Sequence, residues 1–543
     1  MGYFLNNEEP YVLYREAATQ PYFVDKTAIL NDLFPLIDST EKYVCITRPR
    51  RFGKTIMANL IGSFFSKAHD STDLFDSLEI AGNESYSRFI NQYNVIYIDF
   101  SDVDDECRSY QAYIRNIKSL LREDLHHAYP DIPFREKGSV AEDFKRIYAK
   151  THEKFIFILD EWDAIFHMPF IKETDAETYL RFLKGLLKGK AYVSLAYMTG
   201  ILPIAKYSSG SERNMFVEFT MATTPAFSSY FGFTQSEVDT LYEKYRKLCD
   251  TPVISKDGLK TWYDGYQTAD DQKIYNPRSV VLALQFNHLE SYWTSSGPFD
   301  EISYYIRKNV ADVRDDLVLM VAGEAVPAKI QEYAATSMAL NTKDEIFSAM
   351  VVYGFLSHHK GKVSIPNREL MNKFRDMVEK EPSLGYVHRL AKQSERMLKA
   401  TLAGDTATMQ EILEYAHDTE IPLLSYNNET ELTALVNLVY LSARDTYRIE
   451  REDKAGIGYV DFIFYPETDL AADCIILELK IDSTPKKAIG QIKSRKYALR
   501  FQGTLGKESA YTGRILAVGI TYDRKSQKHD CLIEILRQIS HIS

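Results

Sequence analysis

What most constrains this chain is the succession of strand, basic loop and helix around residue 50. Tyr43-Val-Cys-Ile-Thr47 is a short β-branched run, Arg48-Pro-Arg-Arg-Phe-Gly-Lys-Thr55 follows it, and Ile56-Met-Ala-Asn-Leu-Ile-Gly-Ser-Phe-Phe65 continues with helical spacing. A loop so placed ends at a helix N-terminus, where unpaired amides and the positive end of the helix dipole gather. Gly53-Lys54-Thr55 fits the close of the phosphate-loop pattern, whose amides curl around phosphates while the lysine reaches the terminal ones. Arg48 stands where that pattern has its first glycine, so the loop is a variant, and Pro49 is expected to shape its entry by fixing φ. Pro49, Arg50, Arg51, Phe52, Gly53, Lys54 and Thr55 are the candidate nucleotide-binding residues.

About a hundred residues on, Phe155-Ile-Phe-Ile-Leu-Asp160-Glu161 places two acids at the carboxyl end of an apolar strand. With the loop upstream this is a Walker B pattern. Asp160 would hold Mg2+ through its water shell opposite the Thr55 hydroxyl, and Glu161 would polarise the attacking water during ATP hydrolysis. Arg213 and Arg278 are both open as an arginine finger acting in trans.

The surrounding pattern fits these motifs. Val95-Ile-Tyr-Ile-Asp-Phe100 and Val193-Ser-Leu-Ala-Tyr-Met198 are further strands, with helical stretches around 106–127 and 176–188, and Thr27 is expected to cap a helix through about Ile37. Continuous apolar strands alternating with helices predict an α/β fold with a parallel P-loop NTPase sheet covered on both faces. Helical patterns dominate 234–418, broken by Gly and Pro near 250–277 and 361–366. Beyond Pro422 the pattern returns to α/β, with a helix near 429–442, strands at 457–465, 473–479 and 514–521, and a basic helix around 486–500. Three domains are expected, spanning 1–230, 231–420 and 421–543; this suits 543 residues, since single cores seldom serve so many.

Tyr22-Phe-Val-Asp-Lys-Thr27, Arg48 to Thr55, Asp160-Glu161-Trp-Asp163, Thr199-Gly200, Phe231-Gly-Phe-Thr-Gln-Ser-Glu-Val238, Trp262-Tyr-Asp-Gly-Tyr266 and Tyr275-Asn-Pro-Arg-Ser279 follow in one order. In them the chain resembles the bacterial AAA-ATPase-like family from about residue 5 to 290. Trp162 stands where that family more often has Tyr. The resemblance implies that Thr199 senses the γ-phosphate, and that a PD-(D/E)XK nuclease-like, restriction-endonuclease-like domain lies at the C-terminus.

The C-terminal residues can be read independently. In Gly458-Tyr-Val-Asp461-Phe-Ile-Phe-Tyr465, alternation places Val460, Phe462 and Phe464 on one face and Asp461 on the other. In Ile475-Ile-Leu-Glu478-Leu-Lys480 the acid and the lysine share a face. If the strands pair, Asp461 and Glu478 converge on a divalent cation, Mg2+ or Mn2+, while Lys480 orients water for phosphodiester attack. Similarity to the nuclease superfamily adds a helix acid, Glu431 or Glu429, and a Gln and Lys near the scissile phosphate, here Gln491 followed by Lys493, Arg495 and Lys496 on a basic helix that runs to Arg500. Gly456-Ile-Gly458 also resembles the family's approach to its first acid, with Tyr459 at a position that is usually basic.

Composition narrows the partners. The net charge of −11 disfavours a general electrostatic grip on nucleic acid, though local basic grooves can sit on an acidic background. Five scattered cysteines suit neither a disulfide framework nor a zinc site, and the pairs His126-His127 and His358-His359 read as surface histidines. No apolar run approaches the roughly 18 residues that span a bilayer, which points to a cytoplasmic protein with no membrane partner. The expectation is an ATPase that licenses a metal-dependent nuclease acting on DNA rather than RNA, with homo-oligomers allowed. The rival is a signalling or scaffolding NTPase switch whose C-terminal domain binds without cutting.

Overall fold

The computed structural model describes residues 2–104, 107–204, 215–221, 224–293, 306, 310–330, 340, 342–418, 429–450, 460–467, 469–495, 497–501 and 511–537. They form two compact units, Met1–Ile302 with Pro327–Leu370, and Ser303–Val326 with Met371–Ser543.

In the first unit the apolar runs become strands β1 (Tyr43–Thr47), β2 (Asn94–Asp99), β3 (Phe155–Asp160), β4 (Val193–Gly200) and β5 (Val217–Phe219). They lie in the order β2-β3-β4-β1-β5, every neighbouring pair parallel. β1, β3 and β4 are buried along their whole length, which is why their sequences are apolar without alternation. The helix Lys54–Phe65 sends Met57, Leu60, Ile61 and Phe64 into a core shared with Val44, Ile46, Ile156, Ile158 and Leu195. At about 1.5–3 kcal/mol for each large side chain, this burial is what holds helix to sheet.

The sequence pattern leaves out several elements of this unit. They include the helix Glu9–Ala18, β5, which is three residues long with an exposed start, and the helix Val140–Thr151, which buries Val140, Phe144 and Ile147 and opens on a capping box of Ser139 and Glu142. The expected helices appear at Tyr110–Ala128 and Glu173–Leu187. The one expected from Thr27 is shorter, Ile29–Leu33 followed by a 3-10 turn at Phe34–Leu36, because Pro35 removes a backbone donor there. Thr27 does not cap it; its hydroxyl accepts the Ile80 amide at 3.2 Å.

The helices Gln235–Leu248, Lys256–Tyr263, Pro277–Phe286 and Lys343–Tyr353 continue the unit. The Gly- and Pro-rich breaks between them hold two hairpins. One pairs β6 (Tyr266–Gln267) with β7 (Lys273–Ile274); after β8 (Val326–Pro327), the other pairs β9 (Ser357–His359) with β10 (Lys362–Ser364).

The second unit carries the helices Tyr386–Ala403, Thr406–Asp418 and Glu429–Val439 and a mixed sheet. Its strands β11 (Tyr447–Glu450), β12 (Phe462–Pro466), β13 (Cys474–Ile481), β14 (Ile515–Asp523) and β15 (Lys528–Arg537) stand in that order. Only β13 and β14 are parallel, joined by a crossover that contains the helix Pro485–Ser494. That helix lies so close to β14 that a Cβ on Gly519 would come within 2.6 Å of the Pro485 carbonyl oxygen. The basic helix expected over 486–500 ends at Ser494 and gives way to a 3-10 turn at Tyr497–Phe501. Pro422, Gly456, Gly458 and Tyr459 lie outside the described residues.

Arg48 explains how a phosphate loop dispenses with its first glycine. Its side chain is 1% exposed, and Nη1 donates to the carbonyls of Thr47 at 2.8 Å and Phe219 at 2.7 Å. The guanidinium carbon sits 5.0 Å from the centre of the Phe231 ring. The arginine therefore runs away from the loop mouth and ties β1 to β5, so the loop entry is shaped by this tether as well as by Pro49. Arg48→Ala should lower the unfolding free energy by about 2–4 kcal/mol, since hydrogen bonds to a charged group contribute about 1.5–3 and a cavity is left behind. Urea denaturation followed by tryptophan fluorescence measures this, and an unchanged midpoint would remove the tether from the account.

Candidate functional site

β4 lies between β1 and β3, so the basic loop, Thr199 and the paired acids all leave the same carboxyl edge of the sheet. The loop turns through left-handed backbone at Arg51 (φ 70°) and Gly53 (φ 90°), and the helix begins at Lys54. Glycine adopts that conformation without the strain a side chain would meet, which accounts for Gly53.

The loop side chains divide into two sets. Pro49 lies against Gly354, and Phe52 is buried edge-to-face on Tyr266 with ring centres 5.0 Å apart, so these two anchor the loop from behind. Arg50, Arg51, Lys54 and Thr55 line a cavity of about 730 Å³, which Phe52 and Gly53 also border, together with Asp99, Glu161, Asp163 and Arg278. Its apolar walls include Tyr22, Phe23, Val24, Phe233 and Val281. Lys54 is folded back on the loop, with Nζ donating to the Pro49 carbonyl at 3.3 Å and lying 3.8 Å from Glu161 Oε1.

Asp160 is fully buried at the end of β3. Its Oδ1 accepts the Thr199 hydroxyl and, at 3.0 Å, the Glu161 amide, while Oδ2 is buried without a hydrogen bond of normal geometry. Burial, then the charge of Glu161, raises its pKa from 3.8 to about 6; the Thr199 and Thr55 hydroxyls pull the other way. A buried carboxylate oxygen that makes no hydrogen bond of normal geometry, in a group that the Thr55 hydroxyl approaches, suits a hydrated divalent cation.

Thr199 is engaged with Asp160, and its carbonyl accepts the Trp162 amide at 2.9 Å; it is not among the residues lining the cavity. Arg278 lines the cavity, on the first turn of the helix Pro277–Phe286. Arg213 lies outside the described residues.

Asp163 and Asp99 carry roles that sequence reading left unassigned. Asp163 is buried, and its Oδ2 accepts the amides of Ile201 and Leu202 at 3.0 and 2.8 Å, holding the chain as it leaves β4. Burial, then Glu161, pushes its pKa to about 6. Asp99 is the register partner of Asp160 on β2, and burial raises its pKa as well. The signal for Asp99 was present, an acid closing an apolar strand beside another such strand.

In the second unit, Phe462 pairs with Leu477, which brings Asp461, one residue ahead of β12, beside Glu478. Asp461 Oδ2 accepts the Leu479 amide at 2.6 Å, and Lys480 Nζ donates to Glu478 Oε1 at 2.7 Å. Glu478 is 1% exposed and its Oε2 is buried without a partner. Burial above all, with Asp461 adding to it and Lys480 and Arg495 opposing, pushes its pKa to about 7. The donor set of two adjoining carboxylates with a free buried oxygen suits a hard divalent cation.

Gln491 is half-buried on the helix Pro485–Ser494, and Lys493 of that helix is paired with Glu534. Glu429 and Glu431 fall on the first turn of the helix Glu429–Val439, their side chains outside the described set, as are Lys496 and the Arg500 side chain. Among the described residues no group of three or more His, Cys, Asp or Glu side chains comes together as a metal cage. His126 is no idle surface histidine; it stacks on Phe134 at 4.1 Å and bonds Asp143 at 3.1 Å. All five cysteines are free thiols, four of them buried.

The class of molecule these features define is a P-loop NTPase-type unit followed by a nuclease-type mixed sheet. Residues 14–209 match the family model described as a predicted AAA-ATPase, and residues 428–530 match that of the PD-(D/E)XK nuclease superfamily, so the chain carries both kinds of domain. Similar solved structures include a Walker-type ATPase of Pyrococcus abyssi, 11% identical over 64% of this chain and 94% of that one, with a TM-score of 0.34. Cdc6p of Pyrobaculum aerophilum is 12% identical over 65% and 91%, with a TM-score of 0.25. The ORC2 protein of Aeropyrum pernix in its ADPNP–ADP form is 13% identical over 68% and 92%, with a TM-score of 0.31. Among curated proteins nothing matches. Among the described residues no helix is long and apolar enough to cross a membrane.

The raised pKa of Asp160 sets a pH dependence. Its protonated form is favoured in the fold, so the cost of ionising it builds as pH rises through about 6 and is complete above that value. Asp160→Asn removes the cost while keeping an acceptor for Thr199. The stability of the variant relative to the parent should therefore grow by about 1–2 kcal/mol between pH 5 and pH 8 in nucleotide-free protein. Thermal melts at the two pH values read the difference, and a gap that stays constant would contradict the assigned burial cost.

Proposed function

We propose that this protein binds and hydrolyses ATP at the basic loop and uses that cycle to license metal-dependent phosphodiester cleavage of nucleic acid, DNA before RNA, at the C-terminal carboxylates. The observation that carries the reading is a repeated one. Asp160 Oδ2 and Glu478 Oε2 are buried carboxylate oxygens without a hydrogen bond of normal geometry, Asp160 near Thr55 and Glu478 near Asp461, and each site also holds a lysine. Each suits a divalent cation, Mg2+ at the first and Mg2+ or Mn2+ at the second.

At the nucleotide site, Lys54 would exchange the Pro49 carbonyl for the terminal phosphates, and the loop amides would take the remaining oxygens. Thr55 and Asp160 would hold the cation, and Glu161, which lines the cavity 3.8 Å from Lys54, would orient the attacking water. Arg50, Arg51 and Arg278 add positive charge around the phosphates, and the apolar wall of Tyr22, Phe23 and Phe233 suits a purine. Thr199 is proposed to report on the γ-phosphate through Asp160, which it binds directly.

At the second site a bound cation supplies Lewis acidity and neutralises charge that develops on the phosphate. Asp461 and Glu478 hold it, Glu431 or Glu429 from the preceding helix completes the acid set, and Lys480 and Gln491 position water and the scissile phosphate. Glu478 must be ionised to take the cation, so at limiting metal the affinity for Mg2+ or Mn2+ should fall as pH drops below about 7. We divide the chain into an ATPase domain at 1–230, a helical lid and middle region at 231–420 and a nuclease domain at 421–543. We assign the protein to the cytoplasm, with homo-oligomers allowed.

A paired assay of purified full-length protein tests both halves. Lys54→Ala should reduce ATP turnover at least about a hundredfold, the scale set by removing one electrostatic contact to a transferring group. Asp461→Ala and Lys480→Ala should abolish Mg2+- or Mn2+-dependent cleavage while ATP turnover persists. Wild-type ATP turnover in the lysine variant sinks the first half. If the parent protein binds DNA but cuts no nucleic acid with either metal, the second half gives way to a switch that binds without cleaving.

A further inference from the structure

Another cavity, of about 620 Å³, lies in the first unit, away from the basic loop in sequence and sharing no residue with the first cavity. Its walls come from the helices Tyr110–Ala128 and Glu173–Leu187 and from the start of the helix Val140–Thr151. Arg115, Lys118, Arg122 and Arg181 line it, and no carboxylate does. In a chain whose net charge is −11, four cations around one concavity without an acid is a marked local reversal.

The four do not serve alike. Arg122 is committed to the fold: Nε bonds Asp143 at 2.7 Å, and its other nitrogens bond the carbonyls of Glu136 and Arg135 at 3.0 and 2.6 Å. Arg115, Lys118 and Arg181 form no ion pair or side-chain hydrogen bond with the described residues. Lys118 Nζ lies 4.9 Å from the centre of the Phe182 ring, a cation–π contact that holds the ammonium at the cavity wall. Residues 115, 118 and 122 recur at three- and four-residue spacing, so they share one face of their helix, and Arg181 approaches from the neighbouring helix. The capped N-terminus of Val140–Thr151 adds the positive end of its dipole.

Three cations on two neighbouring helices, none paired with a carboxylate among the described residues, thus line one concavity. They match a ligand with several adjacent negative charges and little need for base readout. We infer that this cavity is a docking surface for the phosphodiester backbone of nucleic acid, by which the ATPase unit itself grips the strand. The inference rests on the reading that nucleic acid is the protein's substrate, but not on its being cut. The contacts are to phosphate alone, so they should be sequence-independent and steeply sensitive to salt.

The test uses full-length protein and fluorescence anisotropy of a labelled duplex DNA and a labelled RNA hairpin, each of about 25 base pairs, with binding measured across a salt series. The triple variant R115Q/K118Q/R181Q should bind at least about tenfold more weakly and lose about 2–3 from the slope of log affinity against log salt, close to 0.9 for each lost phosphate contact. Its ATP turnover without nucleic acid should match the parent. The arm that loses slope tells whether the backbone is that of DNA or RNA. A parent protein that binds neither probe overturns the inference, as does a triple variant with unchanged affinity and slope. Should the parent bind and the triple variant fail while Asp461→Ala binds normally and nothing is cleaved, the docking surface stands and the nuclease reading falls. Should the parent cleave while the triple variant binds and cleaves equally well, the reverse holds.

Discussion

The first unit is organised around an electrostatic difficulty at the end of β3. Asp160 and Asp163 are buried there, with Glu161 between them, and burial together with the Glu161 charge raises both carboxyls to about 6. Nothing about packing calls for this, since a buried charge without full compensation costs stability. The surrounding structure is arranged to bear it: Thr199 donates to Asp160, the amides of Ile201 and Leu202 donate to Asp163, and Lys54 is held 3.8 Å from Glu161. Natural chains keep such strain at sites that a ligand relieves.

The same economy shows at the loop opposite these acids. A phosphate loop ordinarily opens on glycine because the chain must turn tightly there; this one opens on Arg48, whose side chain escapes through the sheet edge to bind β5 and stack on Phe231. Phe52 and Pro49 pack behind the loop against Tyr266 and Gly354. Three of the bulky residues in the loop therefore act as anchors, which leaves its amides, Lys54 and Thr55 facing the cavity. The loop is rigid from behind and polar in front.

In the second unit the pairing of β12 with β13 produces a comparable result by different means. Asp461 is outside the strand proper, yet its carboxylate is fixed by the Leu479 amide, which sets it beside Glu478. Glu478 is half-neutralised by Lys480 and raised to about 7, poised to ionise when a cation arrives. Both units thus hold a carboxylate short of one partner.

Local sequence alone determined the strand–loop–helix around Gly53, the acids closing β3, and the alternation that sets Glu478 and Lys480 on one face, because each depends on periodicity or on neighbours within a few residues. Tertiary structure decided the rest. The insertion of β4 between β1 and β3, which puts Thr199 on Asp160, is a matter of sheet order that no short window records. β5 and β11 are short and only partly buried, so they carry no apolar run, whereas β2, an edge strand as well, is buried and was legible. Arg48 looked like a defect in a motif until its partners 171 residues away on β5 were visible. Chemistry carried by adjacent residues is written in the chain, whereas chemistry assembled across distant strands exists only once burial has brought them together.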